Sequence, residues 1–432
     1  MNKQVKRWLY RTGVFLASLT MTAGSLTAVH ADTTTNSTSS SSSTNSTTDY
    51  TVNAKAAIAI DATTGQALYA KNANTKLAIA SISKIITVGV IEQEIKAGKL
   101  SWNTKVKVTK EEAKLSENTE YSNITLTAGK SYTVKELTEA AMIKSADAAA
   151  ITLSRATGDS TASFVKKMQA FVKKAGVTDA KLYNQVGLTN SQMGSYGLKG
   201  VAKNAENEMT ATDVAKLAQY LIKNYPSLLN ITRLTSTTID GTTVTTINKM
   251  LPGQSDAPSQ VKIDGLKTGT SDKAGACFVS TGTYQGHRII TVVLHATGGG
   301  DERFTQTANL YRLIANEYKA YTVQPSVAAT VPNGKVTTTT LTTQGKITLW
   351  KKDGTLLSPS LAINSKAADK NGQLTAPVKK GQVVGELTYA GLTGLDGNKL
   401  TVDVVPTTNV DKANVFVRMG RCNNYPSSKK RH

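Results

Sequence analysis

The chain has 432 residues, with 51 Lys and Arg against 30 Asp and Glu, a formal charge of +21, two cysteines and four histidines. Two cysteines exclude a disulfide framework, so stability must come from a large apolar core, and the scarcity of histidine argues against a histidine-based zinc site or a Ser-His-Asp triad. The basic excess suits a polyanionic neighbour; with no zinc-finger spacing and no basic run interleaved with aromatics, nucleic acid is not expected as a partner.

The opening "MNKQVKRWLYRTGVFLASLTMTAGSLTAVHAD" has Lys3, Lys6, Arg7 and Arg11 ahead of a largely apolar run and "VHA" before Asp32. Residues 1–31 therefore read as a secretory signal peptide, too weakly apolar for a spanning helix, and the protein is expected to be exported. The remaining 401 residues carry +17, which points to an anionic wall polymer or membrane surface as a neighbour. Residues 32–50 begin with the Ser/Thr/Asn tract "DTTTNSTSSSSSTNSTT", which cannot bury a core and reads as a flexible linker.

"AAIAIDATTGQALYAKNANTK" reads as a β-hairpin, followed by a helix over 81–96 that stops at Gly98. Residues 134–157 read as two helices hinged at Lys144-Ser145, and "STASFVKKMQAFVKKAG" and "TATDVAKLAQYLIKNY" as amphipathic helices. Beyond Thr232 come the hairpin "STTIDGTTVTTI", three strands "KIDGLKTGT", "AGACFVSTGTY" and "HRIITVVLHA", and the closing helix "DERFTQTANLYRLIANEYKAY". Strands at both ends of this segment with helices between them predict an α+β sandwich over 51–322, its first and last strands sharing one antiparallel sheet. Residues 323–407 are Thr/Val-rich and Gly-punctuated and read as a small all-β C-terminal domain, and 408–432 as a basic polar tail.

Within "LAIASISKIITVGV", Ser81 and Lys84 share a helix face. Serine needs a base to take its proton, and a lysine serves when desolvation by neighbours such as Ile82, Ile85, Ile86 and Val88 lowers its pKa. Ser-x-x-Lys alone is weak, because Ser163–Lys166, Ser259–Lys262 and Ser427–Lys430 repeat it. What distinguishes Ser81 is its company: Ser145 and Asp147 in "IKSADAAAI", and Lys267-Thr268-Gly269 in "IDGLKTGTSDKAG".

Ser-x-x-Lys, a Ser-x-Asn-like loop and Lys-Thr-Gly, in that order, are the three elements of penicillin-recognising serine enzymes, the β-lactamase/transpeptidase-like fold. Together with "LYNQVGLTN" and "PVKKGQVVGEL", they make residues 52–410 resemble the secreted D-alanyl-D-alanine carboxypeptidases, the low-molecular-mass penicillin-binding proteins. The resemblance implies a serine hydrolase of peptidoglycan stem peptides, with no cofactor and no metal. Ser81 would attack the penultimate D-alanine carbonyl to form an acyl-enzyme and release the terminal D-alanine, and β-lactams would be caught on the same serine. Lys84 would be the base and Ser145 a proton relay. The N–H groups of Ser81 and Thr270 would make the oxyanion hole, and Lys267, Thr268 and Thr270 would bind the substrate carboxylate. Gly269 would let the strand lie close to the substrate.

Several residues keep a structural reading beside the functional one. Ser145 suits an N-cap for "ADAAAITL", Lys267 an exposed strand position, and Asn184 in "LYNQVGL" a turn. His287 and His295 read as structural. Two departures from the family stand out. Asp147 occupies the place of the usual asparagine, and an ionised aspartate accepts but cannot donate, so it is expected to pair with Lys84 or Lys267 or to accept from a substrate N–H. The C-terminus, usually an amphipathic membrane helix, turns polar after Arg421, which leaves no apolar face long enough for firm anchoring. Two alternatives stand beside the peptidase: a β-lactamase on the same scaffold, against which the β-rich domain and the lack of an identifiable deacylating glutamate argue, and a penicillin-binding wall scaffold with little turnover.

Overall fold

The structure is a computed structural model and describes residues 50–423. The expected signal peptide, nearly all of the linker, the end of the tail and the Ser427–Lys430 repeat lie outside those residues.

Strand β1 (Ala54–Asp61) reads AKAAIAID, and every residue but Lys55 is buried. Its alternate faces enter different cores: Ala56, Ile58 and Ile60 one, Ala57 and Ala59 the other. A strand covered on both faces has no polar side to show, which is why this one reads as an unbroken apolar run. Strand β2 (Ala67–Lys71) returns beside it after a turn in which Asp61 Oδ1 accepts from the N–H groups of Thr63 and Thr64, at 2.9 and 2.8 Å.

Helices α1 (Lys84–Lys96), α2 (Val134–Ile143), α3 (Asp147–Ser154), α4 (Thr161–Lys174) and α5 (Ala211–Asn224) follow. Thr133 with Glu136 and Thr210 with Asp213 form capping boxes at the starts of α2 and α5, each satisfying otherwise orphaned N–H groups. Strands β3 (Lys262–Ser271), β4 (Gly275–Tyr284) and β5 (His287–Ala296) complete a five-stranded antiparallel sheet of order β2-β1-β5-β4-β3. The first and last strands of the segment therefore do pair. Helix α6 (Glu302–Glu317) closes the other face with Phe304, Leu310, Tyr311 and Ile314, packed where β1 offers only alanines.

Two boundaries differ from expectation. The closing helix ends at Glu317 rather than Tyr321, because Lys319–Val323 is extended and pairs with Ile347–Lys351, a long-range ladder that overrides local propensity. The 81–96 helix begins as a 3-10 turn, Ala80–Ser83, and becomes α-helical only at Lys84. The helices Lys110–Ser116 and Leu228–Thr232 carried no periodicity long enough to read.

The C-terminal β domain is built on the antiparallel strands Ser326–Thr330, Thr338–Thr342, Pro359–Ile363, Gly385–Thr393 and Lys399–Pro406, with a core of Val331, Leu341, Leu387, Leu400 and Val404. Trp350 ties it to the sheet. This fully buried indole donates from Nε1 to Asp61 Oδ2 at 2.9 Å, and its backbone N–H donates to Gln66 Oε1 at 2.9 Å. It stacks on Tyr284 with centroids 6.0 Å apart, while neighbouring Thr348 bonds His287 Nδ1 at 2.9 Å, so His287 is structural as expected. Trp350→Ala is expected to cost about 3–5 kcal/mol, the usual range for emptying a large buried aromatic site. The check is guanidinium unfolding of the variant, which should bring the midpoint down.

Helix α7 (Val415–Asn423) ends the described chain with Val415, Phe416, Val417 and Met419 exposed, and Arg421 Nη1 donates to Gly334 O at 2.6 Å. No helix among the described residues is long and apolar enough to cross a membrane.

Candidate active site

Ser81 sits in the 3-10 turn that precedes α1. In that geometry residues three apart eclipse one another, and Lys84 Nζ donates to Ser81 Oγ at 2.8 Å. Three supports fix the turn. Asn207 Nδ2 donates to Ser83 Oγ at 2.9 Å and to Asn184 O at 2.8 Å, and Ile79 N–H donates to Asn207 O at 3.0 Å. Ser83 Oγ donates to Ala80 O at 2.7 Å. Gly187, at φ +88°, presses on the same carbonyl: a Cβ there would lie 1.9 Å from Ala80 O. Ala80 itself has φ +43°, a conformation that costs free energy and persists only where its surroundings enforce it.

Lys84 is fully buried, yet its amine is not held by oily surroundings alone. Besides Ser81 it meets Asp147 Oδ1 at 2.5 Å and Val186 O at 3.3 Å. Burial among the apolar neighbours still lowers the amine on balance, as expected, and the Asp147 contact offsets part of that effect. Burial pulls the Lys84 amine below its ordinary range while the Asp147 carboxylate pushes it back up, and burial raises Asp147 against the pull of Lys84 and Lys267.

Asp147 opens α3 at a sharp corner where Ser145, at φ +64°, joins it to α2. Ser122 spans that corner: its hydroxyl donates to Lys144 O at 2.6 Å and its carbonyl accepts from Asp147 N–H at 2.8 Å. Asn123 Oδ1 accepts from Ala148 N–H at 2.9 Å. Ser145 is buried and is not the N-cap, a position held by Ala146 without a side-chain bond. Among the described residues its hydroxyl makes no hydrogen bond. Asn184 is a turn former, its Oδ1 accepting from Val186 and Gly187 N–H at 3.1 and 2.7 Å.

On β3, Lys267 is buried rather than exposed, and among the described residues its Nζ donates only to Thr268 O, at 3.0 Å. Burial, with Lys84 nearby, holds this amine well below the usual lysine range. Gly269 requires a different explanation from the expected one. Its missing Cβ faces not an open cleft but the turn that carries Ser81, where it would lie 2.6 Å from Ile79 O and 3.2 Å from Ile82 N. The glycine lets β3 dock against the backbone beside Ser81, and Thr270 follows it, exposed.

Sequence reasoning missed Arg303. From α6 it donates through Nη1 to Gly269 O at 2.8 Å and Cys277 O at 3.2 Å, and through Nη2 to Thr270 Oγ1 at 2.6 Å. Nothing in "DERFTQ" marks it; only the packing of α6 behind the sheet brings it there. Asn207 and Gly187 were missed for the same reason. By contrast Lys166 of the Ser163 repeat and both residues of the Ser259–Lys262 repeat are exposed. Lys84, Asp147 and Lys267 are buried together, with Ser81 partly exposed at their edge. Such a site can activate a hydroxyl and receive an anionic group beside it.

Comparison with known proteins agrees with this chemistry. A family model described as D-alanyl-D-alanine carboxypeptidase matches residues 41–298. D-alanyl-D-alanine carboxypeptidase DacF of Bacillus subtilis is 28% identical over 356 residues, covering 79% of this chain and 82% of that protein. The crystal structure described as a peptidoglycan synthesis regulatory factor (PBP3) from Streptococcus pneumoniae aligns with TM-score 0.71 at 35% identity, covering 84% of this chain and all of that one. Penicillin-binding protein D2 of Listeria monocytogenes, in its cefotaxime-bound form, aligns with TM-score 0.51 at 28% identity, covering 61% of this chain and 97% of that one.

Proposed function

The chain belongs to the D-alanyl-D-alanine carboxypeptidase family and is a serine-type peptidase of the penicillin-binding protein fold, and from that premise we propose how its own residues divide the work. Ser81 is the nucleophile. Its Oγ attacks the carbonyl of the penultimate D-alanine of a peptidoglycan stem, and its proton passes to Lys84 Nζ, the group 2.8 Å away. That contact, inside a buried cluster and beside the docked Lys-Thr-Gly strand, is the observation that carries the reading.

The tetrahedral oxyanion accepts hydrogen bonds from the N–H groups of Ser81 and Thr270, preorganised donors worth about 3 kcal/mol each. As the C–N bond breaks, the proton on Lys84 returns to the departing D-alanine amine, with the Ser145 hydroxyl as relay. Water then hydrolyses the acyl-enzyme. The substrate's terminal carboxylate is received by Lys267 with Thr268 and Thr270. Arg303, already bonded to Thr270 Oγ1, adds a second cation behind that strand. A β-lactam enters the same site as an acylating inhibitor. The β-lactamase alternative gains no support, since the matched proteins named above are carboxypeptidases or penicillin-binding proteins.

The chain works outside the cell, held near an anionic wall polymer or membrane surface by its net positive charge. The primary test is release of D-alanine from a pentapeptide ending in D-Ala-D-Ala, blocked by prior treatment with penicillin. No release from a folded, penicillin-reactive protein would overturn the peptidase reading in favour of the scaffold.

Lys267→Ala is expected to lower kcat/KM by about 10- to 100-fold, the worth of a charge-assisted hydrogen bond. The loss should fall mainly on KM and should shrink on a substrate whose terminal carboxylate is amidated. Equal losses on the two substrates would refute the carboxylate contact.

A further inference from the structure

We propose that Asp147 is a positioning residue that holds the Lys84 amine in its protonated form and so sets the pH above which Ser81 can be acylated. The proposal rests on the assignment of Ser81 and Lys84 as nucleophile and base.

The geometry is that of a contact ion pair in a dry place. Lys84 Nζ and Asp147 Oδ1 are 2.5 Å apart, with side-chain exposures of 0% and 4%. The carboxylate is fixed from its own backbone, since Asp147 N–H is tied to Ser122 O at the corner preceding α3. The amine is fixed by its remaining contacts, to Ser81 Oγ and Val186 O. The two groups therefore cannot drift apart into water, and the charge state of one is bound to that of the other.

The other charged or titratable groups around the pair come from three directions. Lys267 faces it from β3 and Arg303 lies beyond Lys267 on α6, while Tyr121 approaches Asp147 from the loop ahead of α2. Tyr121 is uncharged near neutrality. The loop carrying Val186 offers a carbonyl, not a charge. Among the described residues Asp147 is thus the single carboxylate set against two buried lysines.

An amide at this position would leave the Lys84 amine buried without its counter-ion, and desolvation would then drive its proton off at comparatively low pH. The carboxylate cancels much of that pressure and keeps the proton on. Before attack that proton must leave to bulk water. The free amine then takes the Ser81 proton as the Oγ–H bond breaks and the Oγ–C bond forms, leaving an ammonium beside an unchanged Asp147. The carboxylate is not consumed; it decides what fraction of molecules carries a free amine. Acylation is consequently throttled in acidic surroundings and released as the pH rises.

The test is the second-order rate of labelling by a fluorescent penicillin as a function of pH, in the wild-type protein and in Asp147→Asn. Removing the carboxylate should move the acidic limb of the profile down by about one pH unit or more, so that on the wild-type limb the variant labels about tenfold faster or more. A variant slowed equally at every pH, with its limb in place, overturns the proposal and leaves Asp147 a structural residue. A limb that moves up overturns it as well.

The wild-type protein supplies a second reading if the variant does not fold. With 13C-labelled lysine, the Lys84 Cε resonance should titrate at the same pH as the labelling limb. A Lys84 already neutral below that limb refutes the proposal. Failure of the underlying assignment looks different: the wild-type protein is then not labelled at Ser81 at any pH.

Discussion

Ser81→Ala should abolish covalent penicillin labelling and D-alanine release while leaving the melting temperature within a degree or so of the wild type. The side chain lies partly exposed at the edge of the buried cluster and loses one oxygen, leaving no cavity, so the change falls within the small range typical of surface substitutions. Lys84→Ala makes the contrast. It should slow acylation by about 100- to 10,000-fold, the usual worth of a positioned general base. It should also destabilise by up to about 3–5 kcal/mol, because Asp147 is left buried without its partner. Protonation of Asp147 relieves part of that cost, so the loss of stability should shrink as the pH falls. Intact-mass detection of the penicilloyl adduct, with peptide mapping, checks both variants. An adduct on Ser163 or Ser259 would overturn the assignment of the nucleophile.

Gly187→Ala should be nearly as damaging, although residue 187 performs no chemistry. At φ +88° an L-residue is strained by about 1–2 kcal/mol before any contact is counted. The added methyl would then stand 1.9 Å from Ala80 O and 2.7 Å from Ser83 Oγ, so the 3-10 turn or the loop must yield. A displacement of about 1 Å in a reacting group costs on the order of 100-fold in rate. The expected result is a folded protein with acylation down by about that factor at every pH. That uniform loss separates a displaced nucleophile from an altered base, which would change the pH profile instead. Unchanged labelling kinetics would mean that this loop does not brace Ser81.

How legible the site was depends on which property of each residue mattered. Ser81, Lys84 and the Lys-Thr-Gly strand could be read because three short motifs occur together in the order of a known family, whereas the Ser-x-x-Lys spacing alone recurs elsewhere in the chain. Two helices meeting at Lys144-Ser145 were legible from periodicity, and capping boxes such as Thr133 with Glu136 mark where helices begin. Sheet strands with both faces covered read as apolar runs for the reason β1 illustrates. Less was visible where backbone conformation decided the matter. Taken alone, Ser145 suited an N-cap beside its proposed relay role, because a serine ahead of a helix usually is one; the observed φ of +64° makes the corner a bend instead. Gly269 looked like a substrate-facing glycine, and only the docking of β3 on the turn at Ile79 revealed which neighbour needs the space.

By itself the sequence determined the order of elements and marked Ser81 and Lys84 as candidate nucleophile and base, the first from periodicity and the second from three motifs taken together. Only the tertiary structure decided what Lys84 touches. Lys84 and Asp147 stand 63 positions apart, and Gly269 and Arg303 stand 34 apart, and no local rule couples such positions. Their contacts follow from how α3 packs on α1 and α2, and α6 against the sheet. A buried charge takes its pKa from whatever that packing brings within a few ångströms.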